Sequence, residues 1–142
     1  MTVMLSITAI IITITIIALY FNISSFKRQE ALGIKVLMSL YNYESLDEFD
    51  ANISSFENLV TPECYLAMTA NNSDRVLSVY LKFRGNPCKV NIIESSHNYI
   101  AYSLISESME PERVFIMAFT VEKGKISTIK EAELVTFPTS MG

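Results

Sequence analysis

From Val3 to Ile23 nearly every position is apolar, and no period leaves a polar face. The run Leu-Ser-Ile-Thr-Ala-Ile-Ile-Ile-Thr-Ile-Thr-Ile-Ile-Ala-Leu-Tyr-Phe occupies 5–21. A helix of about 20 such residues crosses the hydrocarbon core of a bilayer. Thr13 and Thr15 are admissible there, because a helical Thr hydroxyl can bond a carbonyl of the preceding turn. Tyr20 and Phe21 sit where an interfacial aromatic belt would lie, and Lys27-Arg28 follow. The pattern predicts a transmembrane anchor and its polar exit over 1–26. A cleaved signal peptide is the rival reading. It calls for a basic leading region, an apolar core of about 7–15 residues and a small-x-small site. The segment shows no such leader or site and its apolar run is longer, so a retained anchor is expected.

Beyond Phe26 the hydrophobic positions become periodic. Ile34, Leu37, Met38 and Tyr41 fall at i, i+3, i+4 and i+7, one face of a helix over Glu30–Asn42. Gly33 weakens that helix by about 1 kcal/mol relative to Ala. The gap after the span is short enough for this helix to continue directly from it. Ser45-Leu-Asp-Glu48 is a capping box: the Ser45 hydroxyl accepts from the Glu48 amide while the Glu48 side chain reaches back to Ser45. Asp47 and Glu48 also suit the positive end of the helix dipole. Phe49, Ile53, Phe56 and Val60 then form an apolar stripe. Thr61-Pro62-Glu63 starts a third, short helix through about Met68, with Thr as cap and Pro at the first helical position. Asn71-Asn72-Ser73-Asp74 is a turn cluster.

The period then switches to two. Strands are expected over Arg75–Phe83, Cys88–Glu94, Tyr99–Ser106, Val114–Val121 and Lys125–Phe137, the last bulged near Glu131-Ala-Glu133. Glu122-Lys-Gly-Lys125 places Gly where a hairpin wants a positive φ. Helices followed by hairpin-linked strands predict an α+β domain over 27–142, with about three helices packed on a curved antiparallel sheet of four or five strands.

Composition sharpens the division. The 142 residues carry 11 basic and 15 acidic side chains, for a net charge of −4, and every one of them lies after Phe26. An acidic chain whose densest basic cluster is Lys27-Arg28 offers no basic face for nucleic acid, so no direct nucleic-acid binding is expected. Read by the positive-inside rule, Lys27, Arg28 and Lys35 place the domain in the cytoplasm.

Candidate chemistry is sparse. His97 is the single histidine and lies in a polar turn, which leaves no metal pair and no triad. There is no Gly-rich phosphate loop. Asp47/Glu48, Glu110/Glu112 and Glu131/Glu133 are carboxylate pairs in a cap, a turn and a solvated edge. Catalytic, cofactor-binding and metal residues are therefore expected to be none. Cys64 and Cys88 lack metal-site spacing; two partly buried thiols is the plain reading, and a disulfide is open to them if the domain is extracytoplasmic. Tyr80 and Tyr102 are candidates to line a cavity between helices and sheet.

Leu40-Tyr41-Asn42-Tyr43, Asn58-Leu-Val-Thr-Pro-Glu63 and the closing Arg113-Val-Phe-Ile-Met-Ala-Phe-Thr-Val, Gly124-Lys-Ile and Glu133-Leu-Val-Thr-Phe-Pro138 follow one another in a familiar order. Over about Glu30–Pro138 the chain resembles the nuclear-transport-factor-2-like fold. With its anchor it resembles the bitopic VirB-type scaffold of type IV secretion and conjugation machines, in the small form found on Gram-positive mobile elements. That resemblance implies a non-enzymatic, single-pass protein of the cytoplasmic membrane. Its domain would lie outside and assemble with itself and with other subunits of the complex. The family carries basic residues before its span, whereas here they follow it. Ile34, Leu37 and Tyr41 are the candidate contact surface, together with an exposed sheet edge. The alternative is a membrane-tethered sensor that holds a small apolar ligand in the helix–sheet cavity.

Overall fold

The computed structural model describes residues 2–69, 87–106 and 113–134. Helix α1 runs unbroken from Thr2 to Tyr41, 40 residues or about 60 Å. Helices α2 (Leu46–Leu59) and α3 (Pro62–Thr69) follow. Strands β1 (Lys89–Ser95), β2 (Tyr99–Ile105), β3 (Arg113–Glu122) and β4 (Lys125–Leu134) form an open antiparallel sheet in the order β1-β2-β3-β4. The architecture is α+β, as the segregated periods imply. The expected strand over 75–83, Tyr80 and the pair Glu110/Glu112 lie outside the described residues.

The N-terminal part of α1 provides a segment long and apolar enough to cross a membrane. Its described large side chains, from Met4 to Ile23, are exposed. The Thr8, Thr13 and Thr15 hydroxyls donate to carbonyls one turn back, at 3.0, 2.9 and 2.9 Å, so none presents a free donor. The predicted polar exit at 22–26 is not a break: Asn22–Phe26 is helical and joins the apolar segment to the domain.

Past Gln29 the same helix acquires a buried stripe of Gly33, Val36, Leu37, Leu40 and Tyr41. The stripe lies one position off the expected face, because it is centred on Gly33 and Val36 rather than on Ile34. At Gly33 the ring of Phe119 rests on the helix backbone. A Cβ there would fall 2.6 Å from Phe119 Cε1 and closer still to Cζ.

The capping box forms with one change. Ser45 Oγ accepts from the Glu48 amide at 3.2 Å, but Glu48 Oε2 accepts from the Glu44 amide at 2.8 Å, one residue farther back than the motif implies. Phe49, Phe56 and Val60 are buried as the stripe predicts. Thr61 caps α3, its Oγ1 accepting from the Cys64 amide at 3.3 Å. Two short backbone pairings fasten the helices to the sheet region. Tyr43 and Cys88 exchange both bonds, at 3.0 and 2.8 Å, and Thr61 donates to the Ile126 carbonyl at 2.8 Å.

The register sets the inward face. Ile100, Tyr102 and Leu104 of β2 oppose Met117, Phe115 and Arg113 of β3, and Met117 and Phe119 oppose Glu131 and Ile129 of β4. The β3–β4 turn has positive φ at both Lys123 (50°) and Gly124 (78°), the geometry of the two-residue hairpin turns that suit strand twist. The irregularity in β4 is not at Glu131-Ala-Glu133. It falls beside the turn, where Val121 pairs with Ile126 but Thr120 pairs with Thr128, leaving Ser127 as the extra residue.

Candidate functional site

Ile126 and Ile129 both turn inward, although a regular strand would send residues three apart to opposite faces. The extra residue at Ser127 reconciles them, and it carries Glu131 inward as well. Without it Lys130 would face the core and Glu131 the solvent. Glu131 is therefore not on a solvated edge. The Tyr41 hydroxyl donates to its side chain, 2.7 Å from Oε1 and 2.6 Å from Oε2. Tyr102 donates to Oε1 at 3.2 Å. The Tyr41 and Tyr102 rings stack at 5.8 Å, and Tyr102 stacks on Phe115 at 5.6 Å. The cluster ties α1 to β2 and β4 through hydrogen bonds to a charged group, stronger than neutral ones. Burial, then the negative charge of Glu131, holds the Tyr41 phenol well above its ordinary value. The chemistry this favours is hydrogen-bond donation by a phenol that keeps its proton, not nucleophilic attack by a phenolate.

The structure divides the predicted contact surface. Leu37 is fully buried and Tyr41 nearly so, both inside the chain's own core. They are filled positions, not an open face. Ile34 is half-buried and lies, with Met38, in a groove of about 490 Å³ between α1 and α2 whose far wall includes Asn52 and Ser55. Asn42 closes the end of this groove: its carbonyl accepts from Asn52 Nδ2 at 2.7 Å, and its Oδ1 accepts from the Val90 amide at 3.2 Å.

Tyr102, expected beside a cavity, is buried between Tyr41 and Phe115. Cys64 and Cys88 are buried free thiols, so the disulfide open to them is not formed. Cys64 is held on α3 and Cys88 by its backbone pairing with Tyr43. Burial raises both thiols, Cys88 to about 11, which leaves them protonated and unreactive near neutrality.

His97 has a partner that its local sequence does not announce. Its ring stacks on Phe26 with centroids 4.3 Å apart, and the neighbouring Ser95 hydroxyl donates to Glu30. The β1–β2 turn thus rests on α1 just beyond the apolar segment. Among the described residues, no group of three or more His, Cys, Asp or Glu side chains is placed to hold a metal ion. No protein-family model matches the chain, nor does any curated protein or solved structure.

Proposed function

We propose that this chain is a single-span, non-enzymatic assembly subunit of a secretion or conjugative DNA-transfer apparatus in the cytoplasmic membrane. Its α+β domain would stand outside the membrane, in the manner of the nuclear-transport-factor-2-like VirB-type scaffold it resembles. One observation carries the reading. The apolar segment and the domain share a single helix, and the domain half of that helix supplies core residues Val36, Leu37 and Leu40. A domain built around its own anchor is held at a set attitude to the bilayer, which suits a part that positions partners. Contacts with other subunits and with further copies of the chain are assigned to the α1–α2 groove around Ile34 and Met38.

Two measurements test this. A tag placed after Met141 is probed with protease in intact protoplasts; cleavage supports an outward domain, and protection until the membrane is dissolved overturns the secretion assignment. Site-directed crosslinking in membranes then compares the native chain with Ile34→Asp/Met38→Asp. Loss of crosslinked partners, with the unfolding transition retained, supports the groove as contact surface. Undiminished crosslinking removes it.

A further inference from the structure

Where α1 leaves the apolar segment, it forms a cleft of about 560 Å³ with the C-terminal end of α2 and the β3–β4 turn. Leu32, Leu59 and Val121 line it, and three cations, Arg28, Lys35 and Lys123, stand around it. We propose that this cleft holds the head group of an anionic phospholipid from the bilayer that anchors the chain. The phosphate lies against Arg28 and Lys123 at the mouth of the cleft, and Lys35, about two turns farther along α1, extends the positive lining outward.

Charge is the first support. The chain has more acidic than basic residues, yet every ionisable residue lining this cleft is cationic. Arg28, Lys35 and Lys123 are exposed. Among the described residues none of them is paired with a carboxylate; the Arg28 guanidinium reaches the Ser24 hydroxyl at 3.4 Å. Depth is the second support. Arg28 follows Ile23 by little more than one helical turn, a rise of about 8 Å. The head-group layer extends about 5–8 Å beyond the hydrocarbon, so the mouth of the cleft lies at phosphate level. The third is the sheet's orientation. The β1–β2 turn meets α1 at Phe26, and the β3–β4 turn meets it at the cleft. Both turns at this end of the sheet therefore face the bilayer. Each basic side chain near an anionic surface adds to its attraction, and the cleft confines that attraction to one place on the domain.

This inference rests on the reading of α1 as a membrane anchor, and the test separates the two. The full chain in neutral detergent micelles is titrated with dihexanoyl phosphatidylglycerol, dihexanoyl phosphatidylcholine and inorganic phosphate, and its thermal unfolding is followed. Phosphatidylglycerol is expected to raise the midpoint saturably. Phosphatidylcholine and phosphate at equal concentration should not, and Arg28→Gln/Lys123→Gln should weaken the response at least tenfold while keeping the lipid-free midpoint. Lys123→Gln alone, at the turn tip, serves if the double variant does not fold. An equal response to inorganic phosphate makes this a free-anion site and overturns the lipid assignment. So does an undiminished response in the variants. Alkaline extraction of native membranes tests the anchor separately: release of the chain defeats the anchor reading whatever the micelle titration shows.

Discussion

The two halves of α1 are both rich in apolar residues and meet opposite surroundings. In the first half Ile12 and Ile16 are 54 % and 60 % exposed, while in the second Val36 and Leu37 are fully buried. The halves differ in pattern before they differ in environment. The first is apolar all round, which suits a lipid solvent with no preferred side. The second confines its apolar residues to one stripe and gives the other side to Lys35 and its neighbours, which suits a helix with protein on one side and water on the other. A single helix thus passes from an apolar stretch exposed all round to one with a single buried stripe by changing periodicity, not hydrophobicity alone.

The sharpest break of this comparison is a carboxylate placed in each half. Leu37→Asp buries an unpaired charge and is expected to cost more than 4 kcal/mol, abolishing the cooperative unfolding transition of the chain in micelles. Ile12→Asp should leave that transition in place and instead reduce membrane insertion. If Leu37→Asp retained the native midpoint, the stripe would not be core.

Gly33→Ala comes next, and its sign carries the information. In a helix exposed at that position, Ala would stabilise by about 1 kcal/mol. Against the Phe119 ring the added methyl is expected to destabilise by about 1–3 kcal/mol, read from the denaturation midpoint. The double change Gly33→Ala/Phe119→Leu should recover part of that loss.

Much of this arrangement was legible from residue order. The capped α2, the Thr61 cap and the hairpin at Gly124 each rest on contacts within a few residues, and local chemistry reads them. The α1 stripe lies one position from the face its apolar spacing predicts, because its first member is a glycine that works by having no side chain; only Phe119, far along the chain, explains it. Glu131 departs from the solvated edge that its sequence predicts because a bulge at Ser127 shifts the β4 register. The three-residue spacing of Ile126 and Ile129 was the available signal. The Phe26–His97 stack joins residues whose neighbourhoods contain no trace of one another. The strand expected over 75–83 lies outside the described residues.

A smaller effect sharpens the domain side. Because burial is the leading cause of the raised Tyr41 phenol and Glu131 the second, Glu131→Gln should lower its titration yet leave it above the ordinary range. The sign follows from the raised value. The protonated phenol contributes stability at neutral pH, and that contribution is lost as pH rises through the folded-state value. The variant should lose it at lower pH, seen as phenolate absorbance in difference against the native chain. The two proteins titrating alike would exclude the Tyr41–Glu131 contact.

The smallest effect belongs to the apolar first half of α1. Thr13→Val and Thr15→Val remove hydroxyls already satisfied by their own helix, and domain stability should change by less than about 0.5 kcal/mol. A larger shift in the denaturation midpoint would mean that the first half of α1 touches the domain.

The unbroken join between the halves turns α1 into a phase-setting axle. Each residue of an α-helix advances the chain by about 1.5 Å and rotates it by about 100°. One alanine inserted between Ile23 and Ser24 would swing the α1–α2 groove by more than a quarter-turn about the helix axis while moving the domain along it by only about 1.5 Å. Seven would bring it back to within about 20°. For the proposed assembly, association with neighbours in the same membrane should therefore rise and fall with the number of inserted residues, failing at two and recovering near four and again near seven. A flexible tether in place of the helix would erase that oscillation.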